Sequence, residues 1–357
     1  NVTDTDCTAM GLTIAEQADQ SFRQFSNEFQ VQATLFDGRV DAIGGVFYLK
    51  AEPNATQGLV VAAFVPLVPA FVVQSYRTQT STALFGQASI EVMDGLKIDL
   101  GARHTWDKTE ACALGYGAAS PYAPNATPLA SEDQCRNGGT ITVPGVGAIN
   151  TQGSVVSGDS QAWTWNLGAN YQLAPEYFIY GTARRGYRAG GVNTPTLAGT
   201  LAQFQTYEPE TVTDFEVGFK ANWRSGPIRA TMNIDMFQST FNGTQRGVNG
   251  LSRDFDGSGS QSDDPSGGTI IINAGKSRVR GVDFDATLSP VPGLTIAAFA
   301  TYNHQEYLET GTPAVLSAAR AFPTDPADVA FPYAPDLTAG GSISYEQDLG
   351  DGSTVAM

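Results

Sequence analysis

Hydrophobic and polar residues alternate along much of the chain with a period of two. Thr213, Phe215, Val217, Phe219, Ala221 and Trp223 share one parity, and Asp214, Glu216, Gly218, Lys220 and Asn222 share the other. That spacing puts the two sets on opposite faces of one strand. Ser225-Gly226-Pro227 marks a turn, after which Ile228, Ala230, Met232, Ile234 and Met236 oppose Arg229, Thr231, Asn233 and Asp235. Strands in soluble sandwiches usually run about five or six residues. These runs reach about ten or more, the length at which a tilted strand crosses a bilayer.

The same alternation predicts strands over residues 24–35, 39–50, 84–93, 96–108, 162–173, 177–188 and 337–348, with a further pair flanking Pro290–Gly293 and a last strand running to Met357. About twelve strands result. Short turns at Asp37-Gly38, Asp94-Gly95, Ala174–Glu176, Ser225–Pro227, Pro290–Gly293 and Gly350–Gly352 lie at one end. Long connections, including 51–82, 109–159, 243–268 and 309–335, lie at the other. This asymmetry predicts an all-β fold: an antiparallel transmembrane β-barrel with short periplasmic turns and long extracellular loops. Phe215, Val217, Phe219, Ile234, Phe284 and Leu288 are expected to face lipid, and Glu216, Lys220, Asp235, Asp283 and Asp285 the lumen. Tyr48, Trp106, Trp163, Trp165 and Tyr302 are girdle candidates on the loop side, and Tyr171, Trp223 and Tyr345 on the turn side. The connection 51–82 has an apolar centre, residues 58–73, interrupted by Pro66. With Pro69 just beside it, Pro66 predicts a loop that either folds onto the barrel mouth or offers a patch to a ligand or partner.

Composition narrows the picture. In 357 residues no run of 18 apolar residues occurs, so no transmembrane helix is expected, and a barrel needs none. The net charge of −16 argues against nucleic acid, whose phosphates require a basic surface. The first residues, NVTDTDCTAM, lack a basic and apolar leader, so a mature or truncated chain is expected.

Candidate chemistry is sparse. His104 and His304 are the only histidines, and neither sits beside a nucleophile motif, so no enzyme activity is expected. Asp254 and Asp256, with Asp263 and Asp264, form an acidic Gly/Ser-rich stretch. It reads as a solvated loop or as a Ca²⁺ site, because Ca²⁺ takes several hard oxygens. Arg184, Tyr187, Arg188 and Arg246 are candidates for contact with a substrate, since guanidinium groups pair bidentately with carboxylates and phosphates. Barrel-wall hydrogen bonding is the alternative for Arg185 and Arg188. Cys112 and Cys135 share one long loop-side connection with few apolar residues, so a disulfide between them is expected. Pairing of Cys7 with either of them is the alternative.

Four segments carry a resemblance. Pro209-Glu210-Thr211 with Phe215–Lys220 resembles the PET…EVGLK strand of TonB-dependent outer-membrane receptors. Asn273–Lys276 followed by Arg280–Asp283 is similar to their NAGKA…KGVE strand. Tyr180-Gly181-Thr182 with Arg185–Asn193 is similar to YASYSRGYRPGGFN, and Phe85-Gly86-Gln87 with Leu100–Arg103 to the FGQ…LGLR hairpin. The matches follow family order and span nearly the whole chain, but only the barrel part of the family.

The resemblance implies that residues 1–357 form about 12 of some 22 strands of a receptor barrel, with the plug domain absent. It implies active uptake of a scarce solute, such as a ferric siderophore, cobalamin or glycan. The expected partners are outer-membrane lipid, TonB through the missing plug, and a small-molecule substrate such as a metal chelate. The alternatives are a passive outer-membrane porin and a soluble all-β binding module or adhesin.

Overall fold

The computed structural model describes residues 3–4, 14–19, 21–56, 58–63, 71–117, 128–193, 199–252, 266–309, 335–348 and 354–356. Its frame is eleven long strands: β1 (Phe22–Leu35), β2 (Val40–Pro53), β3 (Phe71–Met93), β4 (Leu96–Gly117), β5 (Ser154–Ala174) and β6 (Tyr177–Arg188), then β7 (Glu210–Ser225), β8 (Ile228–Asn242), β9 (Lys276–Ser289), β10 (Leu294–Glu309) and β11 (Leu337–Asp348). Each is antiparallel to its neighbours in chain order. Among the described residues no pairing joins β1 to β11, so the sheet is open there. Short turns join successive hairpins, and Gly38, Gly95, Gly226 and Gly293 supply the positive φ these turns need.

Register turns the alternation of single strands into two continuous faces. Val217, Met236, Val282, Tyr302 and Leu337 lie side by side across β7 to β11. One residue along, Tyr180, Gly218, Asp235, Asp283 and Thr301 form the row on the opposite face. Gly218 is required there, because a Cβ would meet the Tyr180 ring at 2.3 Å. On the apolar face Phe215, Val217 and Met236 are 53%, 58% and 55% exposed. An apolar surface this continuous is unsuited to water, and lipid satisfies it. Trp106, Trp163 and Tyr302 lie on this face toward the long connections, and Tyr171, Trp223 and Tyr345 toward the turns.

The loop side departs from the sequence-based expectation. β3 begins at Phe71 and pairs with β4 from Phe71↔Gly117 down to Met93↔Leu96, so strand extends well into the expected loops 51–82 and 109–159. The apolar stretch is also strand over Gly58–Ala63, paired with β3 at Leu59↔Val73. The two prolines, Pro66 and Pro69, lie outside the described residues, between these two strands. The expected loop 243–268 contains Gln245–Ser252, paired with Ser266–Asn273. Asp254 and Asp256, the Ca²⁺ candidates, and Cys7 lie outside the described residues.

A second correction concerns the stapled connection, which was expected to hold few apolar residues. Val72 and Tyr76 on β3, and Cys112, Leu114 and Tyr116 on β4, form a core with Ala130, Cys135 and Val143. These strand positions keep the apolar parity, so residues 128–153 pack on the continuation of the lipid-side face. The segment contains a helix, α1 (Glu132–Asn137), and a hairpin, Thr140–Val143 with Gly147–Asn150. A capping box between Ser131 and Gln134 starts α1, and Gly138 at φ 83° ends it. Cys112 and Cys135 are joined by a disulfide with Cα atoms 6.1 Å apart. Gly153 permits that approach, since a Cβ there would meet the Cys135 and Cys112 sulfurs at 2.6 and 2.9 Å.

Candidate functional site: polar wall and loop-side rim

The polar face of β6 to β9 is an ordered charge network. Alternation places Asp214 and Glu216 two residues apart on β7, both facing the Arg184 side chain on β6. Arg184 Nε donates to Asp214 Oδ1 at 2.6 Å, and its Nη2 to Glu216 Oε2 at 2.6 Å. Ser239 Oγ donates to Asp214 Oδ2 at 2.6 Å, and the Tyr180 hydroxyl to Glu216 Oε1 at 2.7 Å. Lys220 Nζ lies 5.5 Å from the centre of the Tyr180 ring. Asn233 donates to Asp285 at 2.9 Å. Carboxylates outnumber cations among these wall residues, with Asp214, Glu216, Asp235, Asp283 and Asp285 against Arg184 and Lys220, so the field of this face is negative. Among the described residues no group of His, Cys, Asp and Glu is arranged to hold a metal ion.

Above the wall, the loop-side rim is tied by side-chain amides. Gln245 donates to the carbonyls of Ala189 at 2.9 Å and Glu208 at 3.1 Å, and its own N–H goes to Glu210 Oε2 at 2.9 Å. Asn193 bonds both backbone groups of Ile271, accepting at 2.7 Å and donating at 2.8 Å. Arg77 donates to the Val192 carbonyl at 2.9 Å. The chain following β6 is thereby fixed between β3 and the Gln245–Ser252 hairpin.

The four substrate-contact candidates are distributed over these two layers. Arg184 is engaged by its two carboxylates. The Tyr187 hydroxyl donates to Asp107 on β4. Arg188 ends β6 opposite Glu210. Arg246 lies over the Tyr307 ring, 4.9 Å from its centre. Burial holds the Arg246 pKa below its ordinary value, and Glu210 pulls the other way. Glu210 and Gln245 thus bring the segments of Arg188 and Arg246 together, with Arg184 lower on the wall. Sequence reasoning missed the roles of Asn193 and Gln245 because a polar amide in a Gly-rich stretch looks solvated. The histidines face elsewhere: His104 is on the apolar face, with Trp106 and Trp163 rings 4.2 and 4.6 Å away.

Known proteins agree with this architecture. The family described as TonB dependent receptor-like, beta-barrel matches residues 3–355. The chain is similar to the ferric yersiniabactin uptake receptor FyuA from Yersinia pestis, with 16% identity and a TM-score of 0.62 over 95% of this chain and 42% of that one. It is similar to the siderophore receptor PiuA from Acinetobacter baumannii, at 15% identity and a TM-score of 0.58 over 94% and 46%. It is also similar to the ferric-catecholate import receptor Fiu from K12 E. coli, at 14% identity and 0.54 over 93% and 43%. The chain therefore spans less than half the length of these structures. No curated protein matches it. The family consists of outer-membrane transport receptors. With a two-faced antiparallel wall, girdles at both ends and a family match along almost its whole length, this chain belongs to the TonB-dependent receptor β-barrel family.

Proposed function

We propose that this chain forms the wall of an outer-membrane receptor that takes up a scarce solute, such as a ferric siderophore, cobalamin or a glycan, with energy delivered through TonB. The observation that carries this reading is the pairing of a lipid-suited face with a charged, hydrogen-bonded one across the same strands. A lipid-side surface anchors the wall. The network of Arg184, Asp214, Glu216 and Tyr180 lines a hydrated path, and the rim with Arg188 and Arg246 stands where a solute enters. Similar structures include a ferric yersiniabactin uptake receptor and a ferric-catecholate import receptor, which supports a metal chelate as the substrate class. Residues 1–357 act as barrel wall in this reading, and a plug belonging to the receptor gates the lumen and meets TonB.

The experiment is uptake of radiolabelled ferric chelates by cells carrying the complete receptor, with and without the inner-membrane motor. Uptake that stops when the motor is removed supports the reading. Flux independent of the motor would replace it with a passive porin. A protein that stays monomeric without detergent would replace it with a soluble binding module.

A further inference from the structure

The apolar face ends abruptly on β9 and β10. From the turn upward, Leu288, Ala286, Phe284 and Val282 on β9 stand opposite Ile296, Ala298, Ala300 and Tyr302 on β10, with no charge among them. The next two rows on the same face are Arg280 opposite His304, then Arg278 opposite Glu306. Register leaves no ambiguity about the face, because Phe215, Gln238 and Arg280 are aligned across β7, β8 and β9. Arg280 is exposed and has no ion-pair partner among the described residues. Arg278 donates from Nε and Nη2 to Glu306 Oε1, at 2.9 and 2.6 Å. In the same row as Arg278, Arg185 on β6 lies on this face as well, opposite Trp165 and Thr213. Cations are scarce in this chain, with 20 Lys and Arg against 36 Asp and Glu, and the lumenal wall takes mostly carboxylates. A patch of two guanidiniums against one carboxylate, with His304 beside them and directly above Tyr302, is therefore a local reversal of the chain's charge.

We infer that Arg278, Arg280 and His304 form an outward site for the phosphates of a phosphorylated glycolipid in the outer leaflet. The argument is charge and depth together. A phosphate attached to a membrane lipid sits just beyond the hydrocarbon, level with the aromatic girdle. Cations at that level attract it through short, charge-assisted hydrogen bonds. Two arginines on one strand at a spacing of two stand about 7 Å apart, close enough to share a headgroup bearing more than one phosphate. Glu306 orients Arg278 and leaves Arg280 and His304 to face the headgroup. The inference rests on the lipid-facing reading of the apolar face, and is independent of what the lumen transports.

The test is native mass spectrometry of the complete receptor in detergent, titrated with diphosphoryl lipid A, its dephosphorylated form, or phosphatidylglycerol. The receptor is expected to bind the diphosphoryl lipid at least tenfold more tightly than the dephosphorylated form. That preference falls roughly tenfold in Arg278→Gln/Arg280→Gln and returns in Arg278→Lys/Arg280→Lys, which restores the charge. Variants are compared at equal β content by circular dichroism. An undiminished preference in the glutamine variant overturns the site. Equal competition by phosphatidylglycerol overturns the glycolipid assignment. A receptor that stays monomeric without detergent overturns the lipid-facing reading instead.

Discussion

Gln74 bonds both backbone groups of Ala130: its Oε1 accepts from the Ala130 N–H at 2.9 Å, and its Nε2 donates to the Ala130 carbonyl at 2.9 Å. The side-chain amide does for Ala130 what an adjacent strand would, and it does so fully buried. Tyr76 also donates to the same carbonyl, and the Tyr116 hydroxyl lies 2.7 Å from the Pro128 carbonyl. Residues 128–153 are therefore held on β3 and β4 by specific polar bonds inside an apolar core. Gln74→Leu strands the Ala130 N–H without an acceptor, at a cost of about 1–3 kcal/mol. Hydrogen exchange is expected to show faster exchange across residues 128–150, with β7 to β10 unchanged.

The disulfide closes a loop with sequence separation 23. In the chain-entropy model a closure of this size is worth about 3 kcal/mol. Cys112→Ser/Cys135→Ser is expected to leave the wall folded and to make residues 128–153 susceptible to protease. Non-reducing peptide mapping of the parent protein should give one linked peptide pair. Two free thiols would remove the staple from the account.

Burial pushes the Tyr116 phenol up to about 12, from an ordinary value of 10.0. The folded state therefore holds this proton more tightly than the unfolded state. Its stabilising contribution is complete below pH 10, where both states are protonated. It is lost as pH rises through the folded value. Ultraviolet titration should show one phenol that ionises only near pH 12 and is missing from the Tyr116→Phe variant. Loosening of residues 128–153 is expected to follow Tyr116 ionisation, and Tyr116→Phe should abolish that pH dependence.

The two faces make opposite demands on charge. Ile234 lies between Phe219 and Phe284 in the middle of the apolar band. Ile234→Arg is expected to destabilise the complete receptor by about 2–4 kcal/mol when unfolded from bilayers. Asp283→Asn, on the opposite face, should change that stability little. Equal effects would place the register one residue out.

Arg184 is half-exposed, so its two ion pairs are screened and each contributes less than about 1 kcal/mol. A wall role predicts that Arg184→Gln and Asp214→Asn couple in a double-mutant cycle on stability, while uptake affinity stays unchanged. A substrate role predicts a raised KM for an anionic chelate with no such coupling. Engagement of Arg184 by two separate carboxylates favours the wall.

Period-two alternation is a local property, and it was legible. The strand Tyr177–Arg188, the turn at Ser225–Pro227 and the faces of Val217 and Glu216 all follow from neighbours in sequence. Gly and Pro marked the short turns for the same reason: their backbone preferences act on the spot. The loop side was less legible because its partners are distant. Gln74 meets Ala130 at a separation of 56, Asn193 meets Ile271 at 78 and Tyr187 meets Asp107 at 80. Nothing local distinguishes Gln74 from a solvated glutamine. Burial against a segment brought in by β3–β4 pairing decides it. Arg184 is ambiguous in the same way, since a guanidinium on a polar face suits either a ligand or a neighbouring carboxylate. Register with β7 put Asp214 and Glu216 beside it, and only the tertiary structure could fix that register.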